Sequence, residues 1–110
     1  MSGRSSRIKG AAWERELAKR FREAMPDAEI KRGLQYRTGE ETPDVDMPVF
    51  WIEAKNHIQT NIKAALRQAI EAAPKGRIPV AICKDNRQPP TATLLLEDFL
   101  DFVREWWMRR

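Results

Sequence analysis

Hydrophobic positions recur with a helical period in three separate stretches of the chain. In residues 8–25, 60–73 and 96–108 the apolar side chains return every three or four positions, which predicts three amphipathic helices. Pro26 ends the first helix, and the third begins at residue 96 or 97. The apolar side of the third helix, expected to join the core or a dimer contact, consists of Phe99, Leu100, Val103, Trp106 and Trp107.

Shorter apolar and β-branched runs lie between these helices and predict strands. They occupy residues 28–31, 45–55, 78–83 and 92–95. The run at 45–55 contains a tight connection at 46–48 and therefore gives two strands, while residues 33–43 are polar and form a loop. The order is α-β-β-β-α-β-β-α. Because a helix joins the third strand to the fourth, we expect an α/β fold with a parallel pair in a mixed sheet flanked by helices.

A length of 110 residues fits one domain. We assign residues 8–110 to it and residues 1–7 to a flexible basic arm. The chain has no apolar run of membrane-spanning length and no signal-peptide pattern, so we expect an intracellular protein that is not secreted. Its single cysteine, Cys83, excludes an internal disulfide and fits a small core residue.

The net charge of +4 is concentrated at one end of the chain. Residues 1–40 hold ten Lys or Arg against six Asp or Glu, whereas residues 41–110 hold ten of each. An excess of positive charge in one segment favours a polyanionic partner, and nucleic acid is the usual one.

Three acidic residues and a lysine suggest metal-dependent chemistry. Alternation along the buried strand puts Glu53 and Lys55 on the same face. A bend before that strand would return Asp44 to Glu53, and Glu14 lies on the core-facing side of the first helix. Buried carboxylates need a compensating cation, and Mg²⁺ prefers oxygen ligands. Asp46 is an alternative to Asp44, although it is crowded against the turn.

Pro43-Asp44, followed by Glu53-Ala54-Lys55 and preceded by a helix with Glu14, resembles the PD-(D/E)-x-K nuclease superfamily. Over roughly residues 8–84 this resemblance implies the restriction-endonuclease-like α-β-β-β-α-β core. The short length is similar to that of phage and archaeal Holliday-junction resolvases and small phage endonucleases. It implies Asp44, Glu53, the Ala54 backbone carbonyl and Glu14 as metal ligands, with Lys55 acting on the attacking water.

Candidate DNA contacts follow from the positions of basic and polar residues near this site. They are Arg4, Arg7 and Lys9 in the arm, Lys31, Arg32, Tyr36 and Arg37 near the loop, and Gln68 on the second helix, which could equally be a solvated residue. His57, the only histidine, would lead into the second helix or touch DNA.

The expected activity is hydrolysis of DNA phosphodiesters with Mg²⁺, or Mn²⁺ in its place, leaving 5′-phosphate ends. By resemblance the substrate is branched DNA such as a Holliday junction, the assembly is a homodimer, and the setting is a prokaryote or a phage-infected host. The alternatives are a nicking or nonspecific phage nuclease that acts on ordinary duplex, and a noncatalytic DNA-binding module with the same fold.

Overall fold

A computed structural model describes residues 3–33 and 42–110, with side chains from residue 8 onward in the first range. Within these ranges the element order is α-β-β-β-α-β-β-α, which confirms the predicted order. The helices are α1 (Gly3–Ala24), α2 (Ile62–Ala72) and α3 (Leu96–Arg109). The strands are β1 (Lys31–Arg32), β2 (Val45–Asp46), β3 (Phe50–His57), β4 (Ile78–Asp85) and β5 (Thr91–Thr93).

The five strands form one mixed sheet in the order β1-β2-β3-β4-β5. β3 and β4 are parallel and are joined through α2, whereas the other neighbouring pairs are antiparallel. This arrangement confirms the predicted parallel crossover in a mixed sheet. Val45 of β2 pairs with Ile52 of β3, and this register sets which residues meet at the candidate site.

The two faces of the sheet are covered by different helices. On one face, Ile52 and Ala54 belong to a buried cluster with Trp13 and Leu17 of α1. On the opposite face, α2 packs through small side chains, with Ala65 against Ala81 and Cys83 of β4. Cys83 is buried in this second cluster, as predicted. Alternation along β3 therefore directs Glu53 toward the α2 side, away from the larger core.

Several element boundaries differ from the prediction. α1 begins at Gly3, so residues 3–7, which were assigned to a flexible arm, are helical. No proline separates them from the amphipathic stretch, so nothing stops the helix from extending backward. β1 covers only Lys31–Arg32, because β2 offers just Val45 and Asp46 for pairing. No helix in the described ranges is long and apolar enough to cross a membrane.

The third helix departs most from expectation. None of its residues is buried, and Trp106 and Trp107 are 61% and 58% exposed. Of the two predicted destinations of its apolar side, the core of the same chain is therefore excluded, while a dimer contact stays a prediction. The sheet face beside it is already covered largely by α1, so only the start of α3 reaches the sheet. There the Phe102 ring lies 5.4 Å from the Phe50 ring, centre to centre.

Candidate functional site

Asp44 lies directly before β2 and is fixed to β3 at two points. Its backbone N–H donates to the carbonyl of Ile52 at 2.8 Å. Its carboxylate Oδ2 accepts a hydrogen bond from the backbone N–H of Ala54, also at 2.8 Å. Because these two partners flank Glu53 in the chain, the carboxylate of Asp44 is held beside the side chain of Glu53. Asp44 is also buried, with 9% exposure.

Gly33 allows the segment that carries Asp44 to approach the end of β1. Its backbone N–H donates to the carbonyl of Asp44 at 3.0 Å. A Cβ atom built on Gly33 would lie 1.8 Å from the carbonyl oxygen of Pro43, well inside contact distance. Any other residue would push this segment away from β1, so the position of Asp44 depends on a glycine here.

Glu53 and Lys55 extend from one face of β3 near its carboxyl end. Glu53 is 5% exposed, while Lys55 is half-buried. In the parallel ladder Glu53 pairs with Ala81 and Lys55 with Cys83. Both neighbours are small, so β4 places no bulky side chain directly beside the acid or the amine. An acidic and a basic group thus occupy one partly covered face, as alternation along the strand predicts.

The surroundings of the two acids disfavour the ionisation of both at once. Burial and the nearby charge of Asp44 raise the pKa of Glu53 to about 8, against an opposing effect of Lys55. Burial also raises the pKa of Asp44, although the N–H of Ala54 and the charge of Lys55 lower it. The two carboxyl groups act on each other as hydrogen-bond partners, an arrangement that favours one shared proton when no cation is bound.

Glu14 reaches the same region from α1 but already has a partner. Its carboxylate Oε1 accepts a hydrogen bond from Nε of Arg32 at 2.8 Å, with side chains 13% and 38% exposed. Burial raises the pKa of Glu14, and Arg32 opposes that shift. The charges of Asp44 and Lys55 also act on Glu14, so it lies within electrostatic range of these two residues.

The donor set fits a hard divalent cation. Asp44 and Glu53 supply carboxylate oxygens, and the proton that they share is one that a cation could replace. In the described ranges no group of three or more His, Cys, Asp or Glu side chains is arranged to hold a metal ion. The predicted ligand set of Glu14, Asp44 and Glu53 is therefore not gathered around one point. Two carboxylates completed by backbone oxygen and water remain compatible with Mg²⁺, which usually keeps several waters.

The structure distinguishes between Asp44 and Asp46 as the candidate ligand beside Glu53. Asp46 is half-buried and lines a surface groove with Glu29, Lys31 and Arg77. The pKa of Glu53 is raised by burial and by the charge of Asp44, with which its carboxyl group also hydrogen-bonds. Asp44 is therefore the acid that accompanies Glu53.

The predicted DNA-contacting residues fall into three groups. The first group is exposed or half-exposed and consists of Lys9, Lys31, Arg32 and Gln68, to which His57 can be added. The second group, Arg4 and Arg7, lies in α1, but its side chains are outside those described. Tyr36 and Arg37 lie outside the described residues altogether.

Two site residues were not identified from the sequence in their observed roles. Arg32 was assigned to phosphate contact, but the structure pairs it with Glu14 across 18 positions of the chain. Gly33 was read only as a loop residue. A glycine directly after a short strand could have suggested a close backbone approach, whereas nothing in the residue pattern indicated the ion pair.

Comparison of the chain with protein-family models, curated proteins and solved structures finds no match.

Proposed function

We propose that the chain is a Mg²⁺-dependent endonuclease that hydrolyses DNA phosphodiesters. The observation that supports this most directly is the contact between two buried carboxyl groups, Asp44 and Glu53, next to the amine of Lys55. A protein gains no stability from burying two adjacent acids, when burial opposes the ionisation of both and the charge of Asp44 further opposes that of Glu53. Such a pair is typical of sites where a cation binds.

Asp44, Glu53 and the backbone carbonyl of Ala54 would hold the ion. When bound, Mg²⁺ supplies Lewis acidity toward a phosphoryl oxygen and lowers the pKa of water. Lys55 would orient the attacking water through its ammonium group and offset negative charge as the phosphorane develops. Glu14, predicted as a further ligand, would instead hold the side chain of Arg32 in place through their hydrogen bond.

DNA would approach the side of the sheet edge that bears Arg32. In the contact with Glu14 this side chain uses Nε, and its two terminal nitrogens have the planar geometry that suits a phosphate. Lys31 is exposed on the neighbouring position and adds positive charge. Contacts of this kind fix the position of a duplex without reading its sequence.

The proposal extends to a restriction-endonuclease-like fold and to branched DNA as the substrate. The α/β order and mixed sheet are compatible with a restriction-endonuclease-like core, and the resemblance of Pro43-Asp44 and Glu53-Ala54-Lys55 to the PD-(D/E)-x-K superfamily supports that assignment. We rank branched DNA first among substrates. A homodimer is the proposed assembly, since two sites in one symmetric particle would match paired cuts across a junction.

The test is a cleavage assay with a labelled four-way junction and its separate linear arms, in Mg²⁺ or Mn²⁺. Wild type should cut the junction, and Lys55→Ala should cut at least 100-fold more slowly while it binds DNA within a few-fold of wild type. Lys63→Ala is the matched control, because Lys63 is an exposed lysine on α2. Equal cutting of junction and arms would favour a nonspecific nuclease. No cutting of either by wild type would leave only a DNA-binding module.

A further inference from the structure

A small recess opens beside the candidate site, at the carboxyl end of β4. It has a volume of about 280 Å³ and lies between the segment that enters α2, the end of β4 and the start of β5. Buried Cys83 forms its floor, and its walls are Thr60, Ile62, Asp85, Gln88, Pro89 and Thr91. Pockets that hold a drug-sized molecule span about 300–1,000 Å³, so this recess suits a single ring system.

The strand register connects the recess with the amine of the candidate site. Lys55 of β3 pairs with Cys83 of β4, and Cys83 pairs with Thr91 of β5. Directly paired residues extend from the same face of a sheet, so these three form one row across it. Neighbouring strands are about 4.8 Å apart, which is how far the backbone of Cys83 lies from that of Lys55. Burial raises the pKa of the Cys83 thiol, and the charge of Lys55 opposes that shift, so the amine is within electrostatic range of the floor.

Hydrogen bonds hold the walls of the recess in place. Oδ1 of Asp85 accepts from both the backbone N–H and the hydroxyl of Thr60, at 2.8 and 2.5 Å. In the turn after β4, the backbone N–H of Gln88 donates to the carbonyl of Asp85 at 3.1 Å, and that of Asn86 donates to the carbonyl of Ile58 at 3.2 Å. These bonds join the segment after β3 to the end of β4 and to the turn. Because the walls are already ordered, a ligand would pay little to bind there.

The charge of the recess disfavours a phosphate as its occupant. Among its lining residues in the described part of the chain there is no Lys or Arg. The hydrogen bonds from Thr60 hold the pKa of Asp85 below its usual range, so its carboxylate is ionised at neutral pH. An anion would be repelled, whereas a neutral group that donates a hydrogen bond would be attracted.

The lining matches the edge and faces of a nucleobase. Both donors of Thr60 use Oδ1 of Asp85, so Oδ2 is the oxygen that can accept from a ligand. An aspartate accepts from the amino group of cytosine, and the amide of Gln88 can donate to the ring nitrogen beside that group. Ile62 and Pro89 supply apolar surface for the ring faces. Enzymes hold a base outside the double helix by these two kinds of contact.

We propose that this recess binds one unpaired base of the DNA strand at the candidate site. It should prefer a base with an amino group beside a ring-nitrogen acceptor, as in cytosine and adenine. The inference rests on the proposed function, because DNA at the metal site brings the base there. Extracting a base costs least where it is mismatched or already single-stranded. The substrate class is therefore DNA with an unpaired base next to the cleaved phosphodiester, which branched DNA can provide.

The experiment compares binding of two short single strands, one of deoxycytidine and one of deoxyuridine, by fluorescence anisotropy in EDTA. The strands have equal backbone charge, and their bases differ in having an amino or a carbonyl group at one ring position. Wild type should bind the cytosine strand at least about fivefold more tightly, because the uracil carbonyl leaves Asp85 without a donor.

Asp85→Asn should reverse this preference. The two donors of Thr60 keep the amide oxygen on their side, which leaves the amide N–H₂ to donate to the uracil carbonyl. Asp27→Asn is the matched control, because it makes the same change of charge at an exposed residue that does not line the recess. It should retain the preference of wild type.

A second measurement needs neither DNA nor metal. Titration of wild type with the nucleosides to about 10 mM, followed by NMR, should shift the backbone amide signals of Thr60, Gln88 and Thr91 with deoxycytidine and less with deoxyuridine. Signals of α3 should not move. A chain that passes these tests without cutting DNA would refute the proposed function alone, and a nuclease that fails them would refute the recess alone.

Three results would overturn the inference. The first is a wild type that does not distinguish the two strands. The second is a preference that Asp85→Asn does not reverse, which would mean that the base is read elsewhere. The third is a set of deoxycytidine-induced shifts that lies outside the recess. Both variants keep the size of the side chain, and thermal unfolding alongside wild type checks their folding.

Discussion

Replacing Glu53 by Gln should stabilise the metal-free protein at neutral and alkaline pH. The amide is nearly the same size as the carboxyl group and carries no charge, and its N–H can still donate to Asp44. In wild type the pKa of Glu53 is raised from 4.5 to about 8 by burial and by the charge of Asp44. The folded protein therefore retains a proton that the unfolded chain releases.

The sign and size of the effect follow from this difference in proton binding. A group whose folded pKa exceeds its unfolded pKa makes the free energy of unfolding fall as pH rises between the two values, here from 4.5 to about 8. The maximum slope for one group is about 1.4 kcal/mol per pH unit. Because Asp44 shares the proton and the unfolded chain is not an ideal reference, we expect about 2 kcal/mol across this window.

The measurement is urea denaturation in EDTA at several pH values from 5 to 8.5, for wild type, Glu53→Gln and Glu71→Gln. Glu71 is exposed on α2 and serves as the matched control. Glu53→Gln should exceed wild type by about 2 kcal/mol at pH 8, a large share of the total for a domain of this size, and the gap should close toward pH 5. A Glu53→Gln protein that is less stable than wild type at pH 8, or a gap that does not vary with pH, would refute the reasoning.

Three further predictions concern the ion, the backbone approach and the ion pair. Mg²⁺ or Mn²⁺ at 100 times its Kd should stabilise wild type by about 3 kcal/mol in thermal unfolding and should have little effect on Glu53→Gln; equal shifts would contradict the site. Gly33→Ala should lower the free energy of unfolding by at least ~1 kcal/mol, because its new Cβ would clash with the neighbouring backbone. Gly10→Ala, in open space on α1, is the control and should raise the free energy of unfolding by about 0.5–1 kcal/mol. Urea titration measures both changes, and the reverse order would count against the close approach of the backbone at Gly33. Arg32→Ala should weaken DNA binding and reduce the log–log salt slope by about one, measured by fluorescence anisotropy, more than Lys31→Ala does; an equal loss would mean that the contact with α1 contributes nothing.

The sequence was informative where a local period decides the outcome. Alternation along residues 50–55 was enough to place Glu53 and Lys55 on one face. The short bend before β3 was enough to bring Asp44 back to Glu53. Both inferences depend on neighbours within about ten positions, where strand geometry leaves few alternatives.

Contacts between segments far apart in the chain could not be predicted from the sequence in the same way. The pairing of Arg32 with Glu14 requires β1 to lie against α1 in one particular register, and a two-residue strand carries too little pattern to define that register. The choice between the core and a dimer contact for α3 could not be made from the sequence for a different reason. The hydrophobic period of α3 indicates an amphipathic helix. It does not indicate whether the apolar side of that helix is covered by the same chain or by another molecule.

The two hydrogen bonds that anchor Asp44 to β3 have a consequence for how substitutions and divergent sequences should be judged. The carboxylate of Asp44 accepts a hydrogen bond from the backbone N–H of Ala54. A chain that had lost all catalytic activity would therefore still need an acceptor at position 44 for stability. In the described part of the chain, no backbone N–H donates to the carboxylate of Glu53, and the ammonium of Lys55 has no acceptor that could serve in this way. No backbone hydrogen bond would then require Glu53 or Lys55 to be kept in a sequence that had lost its activity. Their presence is therefore the more specific sign of an active enzyme.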